Sequence, residues 1–229
     1  MLVAGMEKIT LLDYPEKLAC IIFTQGCNFK CPFCQNSDLI KCNQKGNISE
    51  EEVFEYLNKR KNVLDGVVIT GGEPTMQKDL KEFITKVKEL GLLVKLDTNG
   101  FRPDILEDLI NNNLIDYVAM DIKNSLEKYD LTSGIKNINT QNILKSIAII
   151  KMSNINHEFR TTIIKEHHEL KDIESILKII GRNSKYYLQN FKNSEYVLDK
   201  NLHGFSDEEL KDMQEYFKDE WKNLKIRGL

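Results

Sequence analysis

The sequence predicts an α/β fold, a partial, open (β/α)6 TIM-like barrel of parallel strands that stops two units short of the closed eightfold form. Short β-rich runs alternate six times with longer segments of helical period, the pattern of a parallel sheet with crossover helices. No stretch is rich in Pro, Gly or Ser, no block repeats, and Pro15, Pro32, Pro74 and Pro103 all fall in the first half, so nothing marks a linker. The 229 residues, 41% of them apolar, suffice for one core. One domain over 1–229 is expected, with an N-terminal segment 1–17, six βα units over 18–191 and a C-terminal helix and tail over 192–229.

The first strand is Ala19–Thr24. A long cysteine-bearing loop leads to a helix over 50–61, started by Ser49 with Glu52 at capping-box spacing. The second strand, 66–70, precedes a helix over 78–90 that stops at Gly91, and the third strand covers 92–97 before Pro103 opens the next helix. The fourth strand, 117–122, runs into a polar loop and a helix over 141–152. The fifth, 158–164, precedes a helix over 170–180, the sixth covers 186–191, and Ser206 caps a last helix reaching about Trp221.

Lys plus Arg total 32 against 35 Asp plus Glu, a net charge of −3, so no single-sign field favours nucleic acid or an anionic membrane. The longest apolar runs, such as 18–23 and 147–152, fall far short of the ~20 residues of a membrane span. The N-terminus lacks the basic-then-apolar order of an export signal, and a cytoplasmic protein is expected. All five cysteines, Cys20, Cys27, Cys31, Cys34 and Cys42, lie in the first fifth of the chain, an odd number that argues against a disulfide framework.

Cys27, Cys31 and Cys34 stand at spacings of four and three, with Gly26 just before the first. Three soft ligands in eight residues can wrap one metal centre. Zinc normally takes four protein ligands in two separated pairs, and Cys42 is the available fourth. An iron–sulfur cluster held by only three thiolates leaves one iron open to a small ligand, and an open iron implies chemistry. The plainer reading, three reduced cysteines buried in a loop, explains a single Cys better than three so spaced. Cys20, inside a strand, and Cys42, past the loop, are assigned to packing or chance.

The CxxxCxxC run with Phe33 before its last cysteine, followed by Gly71-Gly-Glu-Pro74 after the second strand, resembles the radical S-adenosylmethionine superfamily over nearly the whole chain. A longer match, through 6–15, 23–36, 96–100 and 120–123, is similar to the anaerobic ribonucleoside-triphosphate reductase activating proteins, with pyruvate formate-lyase activating enzyme as a near relative. The resemblance implies a 4Fe-4S cluster on Cys27, Cys31 and Cys34, its fourth iron chelated by S-adenosylmethionine. It implies electron transfer that cleaves the cofactor to methionine and a 5′-deoxyadenosyl radical, and removal of hydrogen from a glycine of a partner enzyme. Reduced flavodoxin or ferredoxin is the implied electron donor. The protein's share of such chemistry is orientation and exclusion of water and oxygen.

Other residues gain meaning beside that resemblance. Gly71 and Gly72 end a strand, where lack of a Cβ lets backbone approach a ligand closely, and glycines after strands are also ordinary turn formers. Glu73 and Pro74 complete a motif that in the family contacts the methionine amino group. Asp97, Thr98 and Asn99, and Asp121 and Lys123, fall at strand ends, where barrel enzymes place their sites and where acids also serve as caps. Two such acids repel unless a cation or base lies between them, and Lys123 is one candidate. The resemblance offers another: a monovalent cation held by Asp97, Thr98, the Ala119 carbonyl and Asp121, with Lys123 and Asp121 near the cofactor's ribose and carboxylate. Arg160 shares a strand face with Glu158 and Thr162; an inward Arg needs an anion, either Glu158 or a neighbour, or the cofactor's carboxylate end as the family suggests.

Tyr187, Leu188 and Gln189 on the sixth strand could form an adenine platform, although strand aromatics are usually core. His157, His167, His168 and His203 show no ligand spacing with the cysteines, and the His167–His168 pair reads as a solvated loop. Pyruvate formate-lyase activating enzyme has a sixth-strand histidine where this chain has 188–191 as Leu-Gln-Asn-Phe, which puts pyruvate formate-lyase in doubt as the partner. Two other readings stand beside the activase: a radical enzyme acting on a small molecule on the same short barrel, and a non-catalytic zinc or iron–sulfur protein. The last leaves Gly71–Pro74 and the strand-end acids unexplained. In the activase the open side of the barrel admits a partner's loop, unless Met1–Pro15 or Asn193–Phe205 covers it.

Overall fold

Eight strands form one sheet among the described residues of the computed structural model, 1–41 and 47–227. Their order is sequential: β1 (Val3–Thr10), β2 (Ala19–Thr24), β3 (Gly66–Gly71), β4 (Leu93–Thr98), β5 (Tyr117–Asp121), β6 (Asn156–Ile163), β7 (Tyr186–Asn190) and β8 (Leu224–Arg227). β1 runs antiparallel to β2, and every later neighbour pair is parallel. Among the described residues no ladder joins β1 to β8, so the sheet is open, in the manner of a partial barrel.

The six expected strands are β2 to β7, each within two residues of its expected limits. The two edge strands correct the expected count. β1 pairs with a strand on one side and makes a single bridge, Val3 to Ile48, outside the sheet's strands; it shifts register twice and is largely exposed over Glu7–Ile9, so its Gly-Met-Glu-Lys stretch shows no clean alternation. β8 spans four residues, too few for a period of two to stand out.

The helices follow their sequence signals. α1 (Glu50–Arg60) starts with a complete capping box: Ser49 Oγ accepts from the Glu52 N–H at 3.2 Å and the Glu52 carboxylate accepts from the Ser49 N–H at 3.0 Å. α2 (Leu80–Glu89) is two residues shorter at its start than expected, and α3 (Pro103–Asn111) begins on its proline. The loop after β5 carries an unexpected short helix, α4 (Tyr129–Ser133), before α5 (Thr140–Met152) and α6 (Leu170–Ile180). α7 (Asp207–Phe217), capped by Ser206 as expected, ends one turn before Trp221.

The outer face of the sheet, with Cys20, Ile22, Val67, Ile69, Val94, Leu96, Val118, Met120 and Phe159, packs against the apolar stripes of the helices, such as Val53 and Leu57, Phe83 and Val87, and Ile173 and Ile176. Each such side chain, fully buried, contributes roughly 1.5–3 kcal/mol by removal from water. This continuous outer core settles Cys20 as a packing residue, its thiol pushed up to about 12 by burial. The inner face is different. Toward β2 and β3 it is apolar, with Ile21, Val68, Tyr14 and Tyr117 in a small cluster, while β4, β5, β6 and β8 turn charged residues inward. That division leaves a polar hollow inside an apolar shell.

Candidate active site

A cavity of about 440 Å³ lies on the inner face and opens at the C-terminal ends of the strands. The loop after β2 forms one wall. Gly26 N–H donates to the Leu39 carbonyl at 2.7 Å and Cys27 N–H to the Ile40 carbonyl at 3.2 Å, folding the loop back on itself. α4 pins its far side: Lys30 N–H donates to the Ser133 carbonyl at 2.8 Å, and α4 closes on Gly134 at φ +69°, where a Cβ would stand 2.2 Å from the Lys30 carbonyl oxygen. Only glycine permits that approach. Phe29 packs edge-on against Phe101 and Tyr129, which anchors the middle of the loop in the core.

Cys27, Cys31 and Cys34 all line this cavity, as does Phe33. Among the described residues no three Cys, His, Asp or Glu side chains converge on a single-ion position, so the three thiols are neighbours on one wall without meeting on one ion. Cys42 lies outside the described residues. Burial pushes the Cys27 thiol up to about 11 and the Cys31 thiol up to about 12, and raises Cys34 as well, so a metal must displace their protons to bind. The Lys123 ammonium acts against burial on all three, favouring thiolate.

Gly71, Gly72 and Glu73 form the next wall. The close approach that needs glycine here is to protein rather than to a ligand. A Cβ on Gly72 would lie 2.2 Å from the Gly26 carbonyl oxygen, and one on Gly71 2.5 Å from the Thr24 amide nitrogen. Glu73, 1% exposed, is likewise committed to the chain. Its Oε1 accepts from the Thr75 N–H at 3.1 Å and from the hydroxyls of Thr75 at 2.6 Å and Thr98 at 2.7 Å, and its Oε2 accepts from the Asn99 N–H at 2.7 Å. Burial raises its carboxyl, and these donors oppose the rise. Glu73 therefore knits the β3 loop to the β4 loop and through it faces the site.

Across the cavity, β4, β5 and β6 carry an alternating chain of charges. Lys95 Nζ meets Asp97 Oδ1 at 2.7 Å, Arg160 spans Asp97 at 3.2 Å and Asp121 at 2.8 Å, and Lys123 Nζ meets Asp121 Oδ2 at 3.2 Å. Burial by itself would raise both acids; the charges of Arg160 with Lys95, and of Arg160 with Lys123, outweigh it and hold both carboxyls below the usual carboxylate range. Three cations against two anions leave one positive charge, a complement to a bound carboxylate.

That chain settles two expectations and bears on a third. The base between the two acids is Arg160, with Lys123 bound to Asp121 alone. Arg160 does not pair with Glu158, which is buried and held by Tyr117 and by Arg227 of β8. The residues expected round a monovalent cation are otherwise engaged: Asp97 and Asp121 face bases, the Thr98 hydroxyl donates to Glu73, and Ala119 is buried in β5 beside Asp97 rather than lining the cavity. Lys95, 2% exposed, escaped the sequence reading, although it stands two residues before Asp97 and so on the same strand face. Of the suggested adenine platform only Gln189 reaches the cavity; Leu188 is core, and the Tyr187 ring lies under the Arg227 guanidinium at 3.8 Å.

The histidine pair is not a solvated loop. His168 is 3% exposed, its Nδ1 accepts from the Ile164 N–H at 3.2 Å, and its Nε2 donates to the Lys123 carbonyl at 3.0 Å, tying the β6 loop to the β5 loop. Burial pushes the imidazole down to about 4. A pKa depressed from 6.5 contributes stability that is whole above pH 6.5 and lost as pH falls toward 4. About 3 kcal/mol should disappear across that window. In denaturant unfolding at successive pH values, His168→Phe should be less stable at pH 7 yet lack this slope; an equal slope in both proteins would assign it to other groups. His203 is exposed and bound to Glu166, and the segment around it crosses to the cysteine loop, where Asp199 N–H donates to the Pro32 carbonyl at 2.9 Å and Gln35 Nε2 to the Lys192 carbonyl at 2.9 Å. Asn193–Phe205 thus straps the rim, as one of the two candidate covers, while Met1–Pro15 extends the sheet edge as β1.

Fourteen residues singled out by sequence therefore meet in one cavity: the three cysteines, Phe33, Gly71, Gly72, Glu73, Asp97, Thr98, Asn99, Asp121, Lys123, Arg160 and Gln189. Clustered thiols beside a surplus positive charge fit a soft-metal cluster with an anionic ligand group. Comparison with known proteins agrees. The family model of the Radical SAM superfamily matches residues 21–180. A candidate glycyl-radical enzyme activating enzyme of Methanocaldococcus jannaschii is 39% identical over 199 residues, 83% of this chain and 80% of that protein. The pyruvate formate-lyase-activating enzyme of Clostridium pasteurianum is 25% identical over 232 residues, 94% of this chain and 96% of its own. Among solved structures, Streptococcus suis SuiB bound to S-adenosylmethionine superposes with a TM-score of 0.70 at 16% identity, over 89% of this chain and 48% of that one, a likeness of fold.

Proposed function

Since the chain belongs to the radical SAM superfamily, an oxidoreductase with glycyl-radical enzyme activating enzymes among its relatives, we propose that it activates a glycyl-radical enzyme, an anaerobic ribonucleoside-triphosphate reductase. The observation that carries this reading is the meeting of the cysteine loop, Gly71–Glu73 and the Lys95-to-Lys123 charge chain on one cavity. In it Cys27, Cys31 and Cys34 hold a 4Fe-4S cluster, which when reduced supplies the electron that opens the sulfonium of S-adenosylmethionine. Arg160 and Lys123 orient the cofactor's carboxylate, Phe33 and the β3 loop shield the cluster from water, and Asn99 and Asp121 position the sugar. Flavodoxin or ferredoxin is the proposed reductant, and the whole of 1–229 acts as one domain. A monovalent cation at Asp97, Thr98, the Ala119 carbonyl and Asp121 belongs to this reading as an additional proposal, in which it would share both acids with Arg160.

The Leu-Gln-Asn-Phe run at 188–191, of which Gln189 faces the cavity, stands where pyruvate formate-lyase activating enzyme has a strand histidine, which counts against pyruvate formate-lyase as the partner. A radical this reactive needs its hydrogen donor delivered to contact distance, and with β1 and β8 unjoined a macromolecular target would enter beside Asn193–Phe205, the segment that straps the rim. Mixing the reduced protein and S-adenosylmethionine with the reductase should produce the doublet of a glycyl radical in the electron spin resonance spectrum. A spectrum without it, together with deoxyadenosine that accumulates only when a small molecule is supplied, would replace the activase by a small-molecule radical enzyme. One zinc and no iron in anaerobically prepared protein would remove both.

A further inference from the structure

Asn28 sits between the first cysteine of the loop and Phe29, and the hydrogen bonds around it leave one donor unused. Asn99 is fixed first. Its N–H donates to Glu73 Oε2 at 2.7 Å and its Oδ1 accepts from the Phe101 N–H at 3.0 Å, so its Nδ2 must point away as a donor. That Nδ2 donates to Asn28 Oδ1 at 2.8 Å. The Asn28 amide is thereby locked with its oxygen toward Asn99, and a flip would set two NH2 groups face to face. Its Nδ2 is buried and, among the described residues, has no acceptor. An unsatisfied buried donor costs about 1–3 kcal/mol, so its persistence needs a reason.

The reason lies beside it. Cys27 Sγ donates to Asn28 Oδ1 at 3.9 Å and accepts from the Phe29 N–H at 3.4 Å, so the amide oxygen meets the thiol and Asn99 together, and the unpartnered Nδ2 is the other corner of an amide one residue along the loop from that thiol. We propose that Asn28 is a positioning residue for the iron–sulfur cluster, its locked amide donating the free Nδ2–H to a sulfur of the cluster held through Cys27. The inference rests on the cluster reading of the three cysteines. It also gives Glu73 a second role, because through Asn99 the β3 motif fixes the donor at the cysteine loop, and the walls of the site are coupled by one hydrogen-bonded line. A donor to sulfur stabilises the more negative, reduced cluster and so raises its reduction potential.

The test uses the full chain, reconstituted anaerobically, as wild type, Asn28→Ala and Asn28→Asp. Iron and sulfide per chain, the midpoint potential, and the coupling of exchangeable protons to the reduced cluster in heavy water are measured for each. With full cluster content in all three, the potential should move negative in Asn28→Ala and further in Asn28→Asp, one strongly coupled exchangeable proton should vanish in both, and cofactor cleavage with a weak reductant should slow roughly tenfold. Unchanged potential and coupling at full iron content would overturn the proposal. So would loss of the cluster from both variants, which would make Asn28 a prop of the loop. A wild type without iron would instead sink the cluster reading itself, and this inference with it.

Discussion

Cys31→Ala should lose the cluster and reduce cleavage of S-adenosylmethionine to background, and Cys27→Ala and Cys34→Ala should do the same. Wild-type protein prepared without oxygen should carry about four iron per chain, and each of these variants close to none. The reason is geometric as well as chemical. All three thiols are held on one loop, tied to α4 at Lys30 and to its own far side at Gly26 and Cys27, and among the described residues the only other cysteine, Cys20, is buried on the outer face of β2 and cannot swing into a vacated corner. Cys20→Ala is the internal control: its thiol sits on the outer face of β2 among the helix-packing residues, and its loss should leave iron content intact while removing one sulfur from the core. Iron retained in Cys31→Ala and lost in Cys20→Ala would reverse the assignment.

Arg160→Met should destabilise the protein by roughly 3 kcal/mol at neutral pH, because it leaves Asp97 and Asp121 with one lysine each and no charge between them. The cost should shrink in acid. In the wild type both carboxyls titrate below their ordinary range, so the stability they contribute is present above pH 4 and lost only as pH falls through their low folded values. Without Arg160 their pKa values rise, the two acids take up protons near pH 4, and the two unfolding curves should draw together there. The triple variant with Asp97→Asn and Asp121→Asn should recover none of the loss, since it leaves Lys95 and Lys123 buried with no carboxylate partner. Affinity for S-adenosylmethionine is a separate readout: it should fall in Arg160→Met. Full affinity in Arg160→Met would remove the guanidinium from the cofactor site.

Much of the site was legible because its residues carry local signals. The cysteine spacing, the Gly-Gly-Glu-Pro run and acids at strand ends are visible within a few residues of chain, and the strands that bear them are apolar runs bounded by turns. Lys95 had a weaker signal, its position two before Asp97. Asn28 had none, because its meaning depends on Asn99, which is 71 residues away.

The sequence by itself determined the six parallel units, the helix starts at Ser49, Pro103 and Ser206, and the set of residues at the strand ends, since periodicity and capping act between near neighbours. The tertiary structure alone decided the edge strands β1 and β8, the burial of His168 and the partners of each charge. Arg160 could have met Glu158 on its own strand face, and Glu73 could have faced a ligand. Which oxygen each reached was fixed by the register of β4, β5 and β6 and by the approach of the β3 loop to the cysteine loop. In a low-dielectric hollow a charge takes the partner that register brings within 3 Å or so, and register is set by the packing of the whole sheet.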